Sequence, residues 1–311
     1  MIGLPRTLKL FARPLPLWAP IALSGTQSPV EVRCVAGGEE RDVTDDQVIV
    51  SLAPLLIAVG DTRHAGPRLR FLDRASGAEL GRLDLRVANE LHAGGRAHGV
   101  YAVEASTHNC VASPLRQWNR FLQSRGGVTG HGPLMTRRAI EQMTIFYLLP
   151  RPVVLVSVDD GTGSNLFPMD LIGQLGSAFT LALRSTSPSV ATLRNSGRVA
   201  LGDAAAADRD LAYSLGKHHR EARIDWAAQT YELVKSARYG LPLPAHSARI
   251  RECEIEHATV FGSHTVFVCR LVHDETRTSD ARLYHTSGIH QHYRERAGRI
   301  PGLRSDEPTC T

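Results

Sequence analysis

The segment Arg184-Ser185-Thr186-Ser187-Pro188 puts a guanidinium and three hydroxyls directly ahead of a helical pattern that ends at Gly197. Ser187 suits the N-cap, Pro188 the first helical position, Leu193 the inner face and Gly197 the stop. A helix start presents free backbone N–H groups and a positive dipole, and a neighbouring arginine adds a charge-assisted donor. That is chemistry for holding a phosphate. An ordinary capped helix with a surface arginine would use the same residues, so the neighbours decide.

The first neighbour is an apolar strand, "VVLVSV", running into Asp159-Asp160-Gly161, a hairpin signal. Its return strand carries Asn165, Phe167, Pro168, Met169 and Asp170, where a plain strand would carry Val, Ile or Thr. Proline cannot donate to a ladder and a carboxylate is costly to bury without a partner, so something beyond aliphatic packing is expected against it. Further on, Lys217, His218, His219 and Arg220 stand in a row. They read either as cations complementing a helix C-terminus or as a basic rim over a phosphate. The stretch after them, "RIDWAAQTYELVKSARYGLPLPAHS", is long enough for a lid. His285, His290 and His292 lack the spacing for a metal site, and none is expected. Ser106 to Cys110, "STHNC", has nucleophile and base types but no nucleophile elbow, which sets a hydrolase aside.

The elements that must position these residues fall into two textures. The first part reads as short strands, including a hairpin turning at Ala75-Ser76-Gly77, and closes with a helical period at Leu115, Trp118 and Leu122 between Ser113 and Gly126. Glycines and a proline in "RGGVTGHGP" mark a linker. This gives a β-rich domain of unassigned role over 1–125, a linker over 126–133, a second domain over 134–298 and a tail over 299–311. The second domain opens with a short helix, "MTRRAIEQMTIFYLL".

Bulk properties agree with a globular chain of 311 residues, 42% hydrophobic. The net charge of +5 comes from 36 basic against 31 acidic residues scattered through both parts, not the clustered charge of a nucleic-acid surface. Neither a nucleic-acid nor a membrane partner is expected, since no apolar run approaches a membrane span. Five widely spaced cysteines without a C-x-x-C pair point to a reduced, cytoplasmic setting. Arg13 and prolines interrupt the only stretch that looks like a signal peptide.

In order, "PRPVVLVSVDDGTGSNLFPMDL", "FTLALRSTSPSVATLRNSG" and "GSHTVFVCRLV" resemble the flavin reductase-like, FMN-binding split-barrel family over residues 134–295. The resemblance implies a mainly β protein with some helix: a split β-barrel, preceded here by the smaller β-rich domain, that forms a homodimer and holds FMN near the subunit interface. It implies ring contacts along Asn165, Phe167, Pro168, Met169 and Asp170, phosphate contacts from Arg184, Ser185, Thr186 and Ser187, and a rim of Lys217 and His218. His264, in Gly262-Ser263-His264 where the family pattern has Gly-Asp-His, is the implied catalytic residue on the nicotinamide side. The implied activity is an FMN-dependent oxidoreductase using NAD(P)H as co-substrate. Flavin binding without redox turnover is the alternative, and a barrel that has lost flavin is a third. No G-x-G-x-x-G followed by a helix is present, so a nicotinamide would bind only as a transient substrate.

Overall fold

The computed structural model describes residues 15–25, 27–61, 64, 66–111, 114–119 and 136–296. The protein is mainly β. The first half supplies β1 (Trp18–Leu23), β2 (Val30–Ala36), β3 (Glu39–Asp42), β4 (Gln47–Leu52), β5 (Leu55–Val59), β6 (Arg68–Asp73), β7 (Glu79–Ala93) and β8 (Arg96–His108). The second supplies β9 (Arg151–Pro152), β10 (Val154–Asp159), β11 (Ser164–Met169), β12 (Ile172–Leu175), β13 (Ala178–Arg184) and β14 (Arg198–Asp203). It continues with β15 (Leu233–Lys235), β16 (Pro242–Pro244), β17 (Arg249–Phe261), β18 (His264–Thr276) and β19 (Arg282–Ser287).

Two seven-stranded sheets dominate, ordered β3-β2-β6-β7-β8-β5-β4 and β11-β10-β14-β17-β18-β13-β12. A small sheet, β1-β19-β9, ties the start of the described chain to its end. The first sheet follows period-2 logic: β2 and β6 alternate buried and half-buried residues, one face toward a core. Its edge strand β3, Glu39-Glu40-Arg41-Asp42, is wholly exposed. In the second sheet β10 is buried on both faces, as its unbroken apolar run requires.

Three clusters make the core around the second sheet. Val156, Phe167, Leu181, Leu201 and Phe267 fill the barrel interior. Leu155, Leu166, Leu215, Ile224 and Leu243 cover the outer face near β10. Val48, Val50, Leu56 and Val100 of the first sheet meet Leu175, Ala182, Val266 and Val268 of the second. Apolar runs as continuous as these strands need cover on both faces, and they receive it within the chain.

The Asp-Asp-Gly hairpin forms as read: β10 pairs with β11, Asp160 Oδ1 accepts from the N–H groups of Thr162 and Gly163, and Gly161 takes φ 82°. The helix Arg137–Phe146, capped by Thr136 Oγ1 accepting from Ala139 N, forms too. Its end, with Met143, Ile145 and Phe146, packs into the first sheet's core rather than the second's. The helix read from Leu115 is seen at residues 114–119; the rest of it and the proposed linker lie outside the described residues. No described helix is long and apolar enough to cross a membrane.

The segment read as a lid is instead part of the packed body. Ile224, Leu241 and Leu243 are buried, and the N–H groups of Arg238 and Tyr239 bond the carboxylate of Glu252, which is fully buried. The reason is local: β15 and β16 pair, and the turn between them is tied to β17 by that carboxylate.

Candidate functional site

β11 is an edge strand, which is where Pro168 can be tolerated. Its outward carbonyls are satisfied by a short 3-10 turn, Leu215–Arg220. His218 Nδ1 lies 2.8 Å from Leu166 O, and His219 Nε2 lies 2.6 Å from Pro168 O. His218 is buried and acts as an edge cap, while Lys217 stays exposed. The rim expected from Lys217 and His218 is therefore carried by Lys217 and the half-buried His219.

Strand alternation sets three of the residues expected along a ring apart from the other two. Asn165, Phe167 and Met169 all point inward. Phe167 and Met169 belong to the barrel core. Asn165 spends its amide on Ser189 Oγ (3.0 Å) and the carbonyls of His218 (3.0 Å) and Glu221 (2.8 Å), clasping the 3-10 turn to the helix Ser189–Ser196. Pro168 and Asp170 remain half-buried at the edge. Asp170 is not bare: its Oδ2 lies 2.8 Å from His285 Nδ1, and it also bonds the buried Tyr147 hydroxyl, whose pKa burial and this carboxylate drive well up. His285 in turn meets the Tyr213 hydroxyl at 3.0 Å.

The Arg184–Ser187 turn is exposed to half-exposed, between the end of β13 and the helix Ser189–Ser196. Ser185 Oγ meets Thr265 Oγ1 at 3.0 Å and Ser185 N donates to Ser263 O. Thr186 is exposed. Ser187 does not cap the helix through its hydroxyl, which donates to His219 O at 3.4 Å. Pro188 already has helical dihedrals and takes the N-cap position, so the helix starts one residue later than read, while Gly197 ends it at φ 63°. No ion pair holds Arg184 among the described residues.

His264 sits directly across the ladder from Arg184, on the same sheet face. It is only 2% exposed, lying where the two sheets meet. Its Nδ1 is 2.8 Å from Ser263 Oγ and 3.4 Å from the Leu52 N–H of the first half. Burial first, and the Arg184 charge second, lower its pKa to about 4. Burial likewise lowers that of His219, with Arg184 and His218 adding to the effect against Pro168 O and Asp170. One exposed cation is thus flanked by two imidazoles held neutral.

His290, His292 and the nucleophile types of residues 106–110 take part in the packing. His290 Nδ1 lies 3.1 Å from Thr286 Oγ1, and burial holds its pKa at about 3; His292 is buried beside it. His108 Nδ1 accepts from Cys110 N and Cys110 Sγ donates to Leu80 O. An open cavity of about 600 Å³ is lined by Leu52, Pro54, Arg86, Glu104 and Arg138, and Arg184 is not among its lining residues.

His264 and His290 give a pH signature. Unfolded, each titrates near ~6.5; folded, each stays neutral until far lower pH. The unfolded chain therefore binds more protons below about pH 6.5, so their contribution is full above that pH and is lost as pH falls toward 4 and 3. Melting temperatures across pH 4–7 should drop on the acid side, and less steeply in His264→Gln.

A family model described as "Flavin reductase like domain" matches residues 146–293. Residues 146–293 are a flavin reductase-like domain. Among solved structures, the chain is similar to the NADH:FAD oxidoreductase SgcE6 of Streptomyces globisporus C-1027, at 19% identity and TM-score 0.42, over 48% of this chain and 89% of that one. It is similar to BorF, the flavin reductase component of a bacterial two-component tryptophan halogenase, at 21% identity and TM-score 0.41, over 48% and 93%. It is also similar to an FMN-binding protein of Thermus thermophilus, at 20% identity and TM-score 0.39, over 48% and 79%. No curated protein matches. The flavin reductase-like domain contains every site residue named above except Leu52, and begins at Phe146, the last residue of the helix that packs on the first sheet.

Proposed function

We propose that the flavin reductase-like domain binds FMN and passes electrons to it from NAD(P)H. The observation that carries this reading is Arg184: an exposed guanidinium, without an ion pair among the described residues, beside three hydroxyls and a helix start. Those donors fit a phosphate dianion. Ser185, Thr186 and Ser187 would hold the phosphate with Arg184. The half-exposed edge made by Pro168, Asp170 and His219 offers an apolar surface with polar rims, the character a flavin ring calls for. His219, neutral and already bonded to Pro168 O, adds no charge there. Bound FMN would supply the hydride acceptance, and the protein its placement and electrostatics. His264 is assigned to positioning, since it lies across the ladder from Arg184 while its ring accepts from Leu52 N–H of the first half.

The reading is tested by the absorbance spectrum of the untagged protein, with the released chromophore identified by mass, followed by anaerobic mixing with NADH and NADPH. Bound FMN that bleaches within seconds is expected. A colourless protein that takes up no FMN sinks the proposal. One observation favours flavin binding without turnover as the second reading: the end of β4 and the β4–β5 turn lie against Ser263 and His264, and His264 is the residue that the resemblance assigns to the nicotinamide side. Yellow protein that fails to bleach would decide for it.

Arg184→Ala should weaken FMN binding by about 1.5–3 kcal/mol, roughly ten- to more than a hundredfold in Kd, through loss of a charge-assisted contact. Riboflavin, which lacks the phosphate, should be nearly indifferent. Equal weakening of both ligands in fluorescence titrations would place Arg184 in support of the ring or fold instead.

A further inference from the structure

Numbering the seven strands of each large sheet in chain order gives one and the same arrangement. The first sheet, β2 to β8, runs 2-1-5-6-7-4-3; the second, β10 to β14 with β17 and β18, also runs 2-1-5-6-7-4-3. Every neighbouring pair in both is antiparallel.

The likeness extends to detail. Strands 3 and 4 are joined by two-residue turns in both halves, Ala53-Pro54 and Gly176-Ser177. Strands 6 and 7 are the long hairpin in both, 15 and 13 residues in the first half and 13 and 13 in the second. Each long hairpin closes through two residues led by a positive-φ glycine, Gly94 or Gly262, and each carries two register shifts.

The two sheets also meet reciprocally. The 6–7 turn of the second half rests on the 3–4 turn of the first: Ser263 N donates to Ala53 O at 3.0 Å, and Ala53 N to Ser263 Oγ at 3.2 Å. The 6–7 turn of the first half rests on the 3–4 turn of the second, so closely that a Cβ on Gly94 would lie 2.6 Å from Ser177 Oγ. Matched by register, Leu56 corresponds to Ala178, Ala93 to Phe261 and Val100 to Val268, and all six lie in the shared cluster. Contacts in which i meets j and the counterpart of j meets the counterpart of i are the signature of a two-fold interface.

The halves differ where the phosphate would sit. After strand 4 the second half has Arg184 to Ser187 and then a helix. The first half goes from β5 to β6 through residues 60–67, and the counterpart of His264 is Arg96, which pairs with Asp61 at 3.2 Å. A carboxylate thus stands near the counterpart of the Arg184 position, and the arginine there is already neutralised.

We infer that the chain is a pseudo-dimer, in which the first half stands where a second flavin reductase-like subunit would, so that the working unit is a monomer with one phosphate-binding turn beside the seam. The inference replaces the homodimer expected through residues 134–298. Its stoichiometric part rests on the flavin reading above; its architectural part does not.

Light scattering of the full chain at micromolar concentration, combined with an FMN titration, tests both parts. The expected result is the mass of one chain, saturating at one FMN, with Arg184→Ala weakening that single site at least tenfold. A mass of two chains overturns the pseudo-dimer. Two FMN per chain, or an Arg184→Ala protein that keeps one tight site, overturns the single site. A monomer that takes up no FMN supports the pseudo-dimer and sinks the flavin reading, so the two failures are told apart.

Discussion

Asp203→Ala should cost about 3–5 kcal/mol of folding stability, the range for removing one partner from a buried ion pair. Asp203 ends β14 and is 3% exposed. Its carboxylate accepts from Arg251 of β17 and, through Oδ2, from Arg282 Nη1 of β19 at 3.1 Å. It therefore joins the second large sheet to the small sheet β1-β19-β9. With the carboxylate gone, Arg251 is left in the interior without its charge partner. Burying that charge unpaired dominates the cost, because the pair itself roughly breaks even against solvation. Asp203→Asn, which keeps shape and one acceptor, should lose less. Urea denaturation with unchanged slope is the measurement, and a loss below about 1 kcal/mol for the alanine variant would show that the two arginines find water.

Gly262→Val is expected to be nearly as costly, about 3–5 kcal/mol, for a different reason. Gly262 has φ 50°, where a β-branched side chain is strained by roughly 1–3 kcal/mol. A Cβ there would also meet Ser51 Oγ at 2.5 Å, Ala53 O at 2.6 Å and Pro54 Cδ at 2.9 Å. One of these is backbone that already accepts from Ser263 N, so the turn cannot yield without giving up that bond. Overpacking of this kind adds about 1–3 kcal/mol. Gly161→Val is the control: it also needs positive φ, but nothing lies within 4 Å. If both variants lose equally, strain alone acts. If Gly262→Val loses more, and hydrogen exchange speeds up at Ala53 and Ser263 together, the closeness of the seam is responsible.

What could be read in the sequence was what is local. The Asp-Asp-Gly hairpin and the Gly197 stop each depend on a few adjacent residues and form where expected, while the helix after Arg184–Ser187 starts one residue later than read. The inward direction of Asn165, Phe167 and Met169 was not legible because β11 is buried on both faces, so alternation gave no clue to which side was open. The histidines of the 3-10 turn looked like a cationic rim because nothing in "KHH" announces that the carbonyls of an edge strand need donors. His264 was legible as a position but not as a group enclosed by residues some two hundred places earlier in the chain. The shared strand order was beyond reach: it is fixed by pairings between distant segments and leaves no repeat in the residues.

The four outer strands of the two large sheets protect themselves in different ways, with a consequence for how this protein would fail. β3 is all charge and β11 carries Pro168 and capping histidines, so each deters a stray strand unaided. β4 and β12 have no such device; neither carries a charge or a proline, and Val48 packs so tightly on Gly173 that a Cβ there would lie 2.2 Å away. Their protection is mutual. An event that parts the halves uncovers two sticky ribbons at once, one on each side. Partial opening should therefore lead to clumping between molecules before unfolding is complete, and turbidity on heating should precede the loss of β-sheet signal in variants of the seam and follow it in variants of the barrel interior.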